Sequence, residues 1–163
     1  MTEEDEFDEL LGHKRFAVGL FNKTWELMDK KDRTRAEDDT MIHSAHASRF
    51  HWGEVVAAGV PNTGPENLER GDWQISRVYT VLGKAEPAIY HAERCLAICE
   101  ENNIGDWDIA FAYEALARAH AVAGNTAEAD KYIRLGKEAG ERIKEKGDMD
   151  YFLSELETVP GYK

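Results

Sequence analysis

The chain has 163 residues, 42% of them hydrophobic and 32% charged, enough for one domain with its own core. Its 32 acidic and 20 basic residues leave a formal charge of −12, a field that repels phosphate backbones and argues against DNA or RNA as a partner. No apolar run approaches the roughly 20 residues that span a bilayer, and the acidic start MTEEDEFDELL lacks the order of a secretion signal. The expected location is therefore cytoplasmic, with no membrane association.

Apolar residues recur at spacings of three and four, which predicts helices throughout. Phe7, Leu10, Leu11, Phe16, Leu20, Phe21, Trp25 and Met28 outline a first helix over 6–30. KKDRT makes a polar turn. Thr34 then caps a second helix, with Glu37, Asp38 and Asp39 near its positive end, that continues to Trp52 or Val56. The stretch AAGVPNTGPEN is the longest loop, and Asn62 or Thr63 caps a third helix that Gly83 terminates after Leu82. Glu86-Pro87 opens the fourth, which runs to Asn102. A fifth is expected over 106–123, a sixth from Thr126 to Lys146, and a short last helix over 149–157 before the tail PGYK. The fold class is all-α: about three antiparallel helical hairpins forming one domain over 1–163, closed by a short C-terminal helix.

Two internal registers compete. Laying YTVLGKAEPAIYHAERCLAICEEN over HAVAGNTAEADKYIRLGKEAGERI pairs Gly83 with Gly124 and Ala88 with Ala129, a period of 41. The Gly71-Asp72-Trp73 and Gly105-Asp106-Trp107 triplets instead suggest 34, with Asp as a shared helix cap. The 41-residue register is preferred, because glycines that end equivalent helices have a physical reason to align.

In that register the chain resembles a tetratricopeptide repeat. Tyr113, Leu116, Ala117, His120, Gly124 and Ala129 fall at the successive signature spacings, as do Ile75, Ser76, Tyr79, Gly83, Ala88 and Cys95 in the preceding hairpin. The likeness covers residues 65–146, while 6–56 matches only as another hairpin. The family's first-helix tryptophan is replaced by Asp72 and Tyr113, its closing proline is missing, and the period exceeds the usual 34. The resemblance implies stacked hairpins whose first helices line a groove for a peptide or partner protein. It maps that groove to Trp73, Arg77, Thr80 and Val81, and to Glu114, Arg118, Ala121 and Val122 one repeat later. Arg77 and Arg118 are equivalent positions, so two guanidinium forks could clamp an acidic group on the partner. The other reading pairs each arginine with a neighbouring acid of the chain itself.

The segment TMIHSAHASRFHW, residues 40–52, carries three histidines. At 100° per residue, Asp39, His43, His46 and Phe50 share one stripe of the second helix, while His51 and Trp52 lie off it. Four readings stand: helix packing, helped by Ala45, Ala47 and Ser48; a ligand-facing wall of His46, Arg49 and Trp52; a divalent metal on Asp39, His43 and His46; and acid–base work by a histidine–aspartate pair. A complete metal site needs one more ligand, for which His91 and His120 are candidates, and HxxH lacks the HExxH glutamate. Cys95 and Cys99, four apart on a helix, read as buried packing residues.

The sequence thus predicts a non-enzymatic, cofactor-free scaffold that binds a protein or peptide through Trp73, Arg77, Glu114, Arg118, His46 and Arg49. A small metal-dependent or acid–base enzyme centred on Asp39, His43 and His46 is the alternative. Solenoid ends expose apolar surface unless capped, so self-association is also open.

Overall fold

The computed structural model describes residues 2–163, apart from the side chains of residues 4–7. Phe7, assigned by spacing to the first helix, therefore has its side chain outside the described residues. The chain forms α1 (Glu3–Asp29), α2 (Arg35–Ala57), α3 (Pro65–Val81), α4 (Ala85–Glu101), α5 (Asp106–Ala123), α6 (Thr126–Gly140) and α7 (Lys146–Leu156). There is no strand among the described residues. Among the described residues, no helix is long and apolar enough to cross a membrane. Three antiparallel hairpins, α1–α2, α3–α4 and α5–α6, pack side by side, and α7 closes the array against α5 and α6. This is the hairpin packing of an α-α superhelix.

Local chemistry explains the helix ends. Thr34 completes a capping box: its hydroxyl accepts the Glu37 N–H (3.2 Å), and the Glu37 carboxylate accepts the Thr34 N–H (2.8 Å). The expected caps of α3 do other work. Asn62 adopts a left-handed conformation (φ 62°) and the Thr63 hydroxyl donates to the Val60 carbonyl. Gly64 caps α3 instead, its N–H held by the Asn67 side chain (3.0 Å), with Pro65 at the first helical position. Gly83 and Gly124, at φ 71° and 76°, follow the ends of α3 and α5, as the 41-residue register requires. The Gly-Asp-Trp triplets are not equivalent. Gly71-Asp72-Trp73 lies within α3, whereas Gly105-Asp106-Trp107 opens α5.

The sixth helix is shorter than expected, and it begins after Asn125, with Thr126 as its first residue rather than its cap. It stops at Gly140 because α7 folds back onto it there: a Cβ at Gly140 would lie 2.5 Å from the Phe152 ring. Ile143 enters the core within the intervening turn. The Lys144 N–H donates to Asp106 (3.0 Å), and the Glu145 carboxylate caps α7 by accepting the N–H groups of Gly147 and Asp148.

Burial follows the hairpins. Leu27, Met41, Ala45, Ile75 and Val78 join the first two, Ala92, Ala115 and Leu116 join the second and third, and Phe152, Leu156 and Val159 seal the end. Small polar residues bond across the close contacts: the Ser48 hydroxyl donates to Ala17 O (2.7 Å) and the Ser76 hydroxyl to Ala88 O (2.8 Å). Close approach of α2 to α3 needs Gly71, since a Cβ there would meet Arg49 Cδ at 2.6 Å.

Candidate functional site

The odd-numbered helices line one groove. Side chains a turn apart on each reach it: Phe21, Trp25 and Asp29 from α1; Glu69, Arg70, Trp73 and Arg77 from α3; Trp107, Asp108 and Phe111 from α5; Tyr151 and Glu155 from α7. The cavity holds about 580 Å³, within the usual range for a ligand pocket. Its walls are aromatic. The Trp25 and Trp73 rings are 5.6 Å apart, and Phe111 meets Trp73 and Trp107 edge-on at 5.8 and 6.3 Å.

Its charged groups are largely engaged with one another. Arg70 makes a two-pronged bond to Asp108 (2.9 Å on both prongs) while its guanidinium lies 4.4 Å from the centre of the Trp107 ring. Arg77 donates to Glu114 (3.1 Å) and lies 3.7 Å from Glu155. Burial, reinforced by the like charge of Arg118, pulls the Arg77 pKa down, although Glu114 and Glu155 pull it the other way. Glu69 is 2% exposed; burial first, then the adjoining Asp108 carboxylate, pushes its pKa up to about 10, so it is a neutral acid at pH 7. Asp29, exposed at the rim, has no ion-pair or hydrogen-bond partner among the described residues.

The residues expected from sequence divide into three places. Trp73 and Arg77 stand in the groove wall. Glu114 and Arg118 lie beneath it, buried: the Trp73 indole N–H donates to Glu114 (3.3 Å), and Arg118 bonds Glu114 (2.6 Å), the Glu155 carbonyl and the Thr158 hydroxyl. Thus Arg77 and Arg118 converge on Glu114, an acid of the chain itself. His46 and Arg49 lie outside the groove, because α2, like α4 and α6, contributes nothing to its lining. They belong to a separate network across α2, α3 and α4. His46 is hydrogen-bonded to the Tyr79 hydroxyl (2.8 Å), and Asp72 accepts from Arg49 (3.0 Å) and His91 (2.8 Å). Burial lowers the His46 pKa, helped by the like charge of His91 and opposed by Asp72.

Asp39, His43 and His46 do not bring donor atoms together as a metal would require. Among the described residues, only Glu69, Cys95 and Cys99 place three such atoms within 4.8 Å of one another. The third histidine of the segment, His51, pairs instead with His13 on α1 (2.7 Å). Sequence reasoning missed most of the groove: Phe21, Trp25 and Asp29 at spacings of four were a signal, as was the charge near two of its three tryptophans in Arg70–Trp73 and Trp107–Asp108. Comparison with family models, curated proteins and solved structures finds no match.

Proposed function

We propose that the chain is a non-catalytic helical-repeat binding module whose groove captures a partner protein by one of its basic side chains. One observation carries this reading: the groove's guanidiniums already have carboxylate partners, while Asp29 and the aromatic walls other than Trp107, which Arg70 covers, are left for an incoming group. Asp29, Asp108 and Glu155 outnumber Arg70 and Arg77 even with Glu69 neutral. A lysine or arginine side chain brings an apolar stem for the walls and a cation for the rings and the rim carboxylate. An acidic partner, by contrast, would have to pull Arg77 and Arg118 from Glu114. The histidine-based acid–base alternative draws no support from the groove, whose lining contains no histidine. Selection from a random displayed-peptide library tests the proposal. Enriched peptides should share a basic residue and lose binding to Trp73→Ala. Enrichment of acidic peptides, or equal binding by Trp73→Ala, overturns it.

A further inference from the structure

We propose that Glu69, Cys95 and Cys99 form a site for one thiophilic divalent cation of the zinc class, reached from the groove. Cys95 and Cys99 are a turn apart on α4, so both sulfurs leave the same face, and Glu69 meets them from α3. The Cys95 thiol donates to Glu69 Oε2 at 3.2 Å. The two sulfurs and a Glu69 oxygen all lie within 4.8 Å of one another, and both cysteines are fully buried. Tetrahedral zinc with bonds of about 2.3 Å to sulfur and about 2.1 Å to oxygen sets its donors about 3.6–3.8 Å apart, so the Cys95–Glu69 pair, now 3.2 Å apart, must open slightly, and no pair lies more than about 1.2 Å beyond the required spacing.

A second observation points to a cation. Glu69 Oε1 is buried and accepts no hydrogen bond among the described residues; Arg70 Nε stands 3.7 Å from it, and the Asp108 carboxylate adjoins the same side chain. Such an atom is costly to bury and is relieved by a proton or by a metal. A proton alone accounts for the oxygen, but not for two sulfurs set against the same carboxyl among Ile98, Ile104 and Ala112, where aliphatic side chains would pack as well. Two thiolates and one carboxylate favour zinc-class ions over magnesium or calcium. Glu69 alone of the three lines the groove, so entry of the ion requires the packing over this buried side chain to open transiently, and the fourth position is left to a water admitted with it. Binding would release the thiol protons and that of Glu69.

The test is titration of the full chain, stripped with a chelator, with Co²⁺. One Co²⁺ per chain with sulfur-to-cobalt charge-transfer absorption, displaced by one equivalent of Zn²⁺, is expected. The band should vanish in the Cys95→Ser/Cys99→Ser variant. Glu69→Gln, which keeps the shape and both thiols, should weaken Co²⁺ binding at least about tenfold, the lower end of what even an outer-shell partner contributes. Absence of the band in the wild-type protein overturns the site whether or not any variant folds, as does a band that survives loss of both thiols. Neither result depends on the groove's partner, because the titration contains none.

Discussion

Arg77 and Arg118, 41 residues apart, both donate to the same carboxylate oxygen of Glu114. Positions equivalent in two hairpins are thereby tied together by an acid from one of them. Removing that acid leaves two guanidiniums, one of them buried, without their shared counter-charge. Glu114→Ala should lower unfolding stability by about 3–5 kcal/mol. Glu114→Gln, which keeps an acceptor, should cost less. Urea denaturation followed by helix circular dichroism would check both, and a Glu114→Ala protein as stable as wild type would refute the tie.

The α6–α7 contact makes a paired prediction. Phe152 is fully buried, so Phe152→Ala should cost about 3–5 kcal/mol through the cavity it leaves. Gly140→Ala adds a methyl where the Phe152 ring already stands and should cost about 1–3 kcal/mol. Combined, the two changes should cost less than their sum, because truncating the ring makes room for the methyl. Strict additivity in the same denaturation assay would contradict this contact.

Two histidines couple stability to pH. Burial lowers the pKa of His46, which faces Tyr79, His91, Asp72 and His43. Burial also lowers that of His51, which faces His13 and Glu54. The unfolded chain takes up these protons from about pH 6.5 downward, before the folded chain does. Their contribution is therefore present above about pH 6.5 and lost as the pH falls through the depressed values. Glu69 acts in the opposite sense: with its pKa raised to about 10, folding becomes less favourable as pH rises above the ordinary carboxylate range. The histidine effect is thus read as a difference. His46→Gln/His51→Gln should lose less stability than wild type between pH 7.5 and 5.5; an equal loss would remove the histidines as its cause.

At the groove rim, Asp29 predicts a separation of binding from stability. Exposed and unpaired among the described residues, it contributes little to the fold. Asp29→Asn should leave the unfolding midpoint within about 0.5 kcal/mol of wild type. It should nevertheless weaken a selected basic peptide several-fold and flatten the dependence of that affinity on salt. Isothermal titration at two ionic strengths would measure both, and an unchanged salt dependence would rule out this carboxylate as the cation's contact.

Helix order and hairpin pairing were legible because apolar spacing, Thr34, Gly83 and Gly124 speak locally. The end of α6 was not. Nothing within GERIKEK announces a stop, since Gly140 is required by a ring twelve residues further along. The groove was half legible for a related reason. Mapping a repeat pattern onto α3 and α5 found Trp73 and Arg77, but it could not supply Trp25 from α1 or Tyr151 from the closing helix α7, which lie outside that pattern. Spacing also cannot say which partner a charge prefers: the arginine register was visible, but its capture by Glu114 depends on how deeply α5 is packed.

All four tryptophans of the chain lie in or beside the groove. Trp25, Trp73 and Trp107 line it, and Trp52 borders a shallower depression that shares Phe21 and Arg70 with it. Indole emission from this protein is consequently a local signal. Three of the four indoles report the polarity and occupancy of one cavity, and the fourth reports the depression beside it. An unlabelled sample therefore carries its own optical sensor for whatever enters the groove, and a melt followed by emission would time the opening of that cavity rather than the loss of the helices.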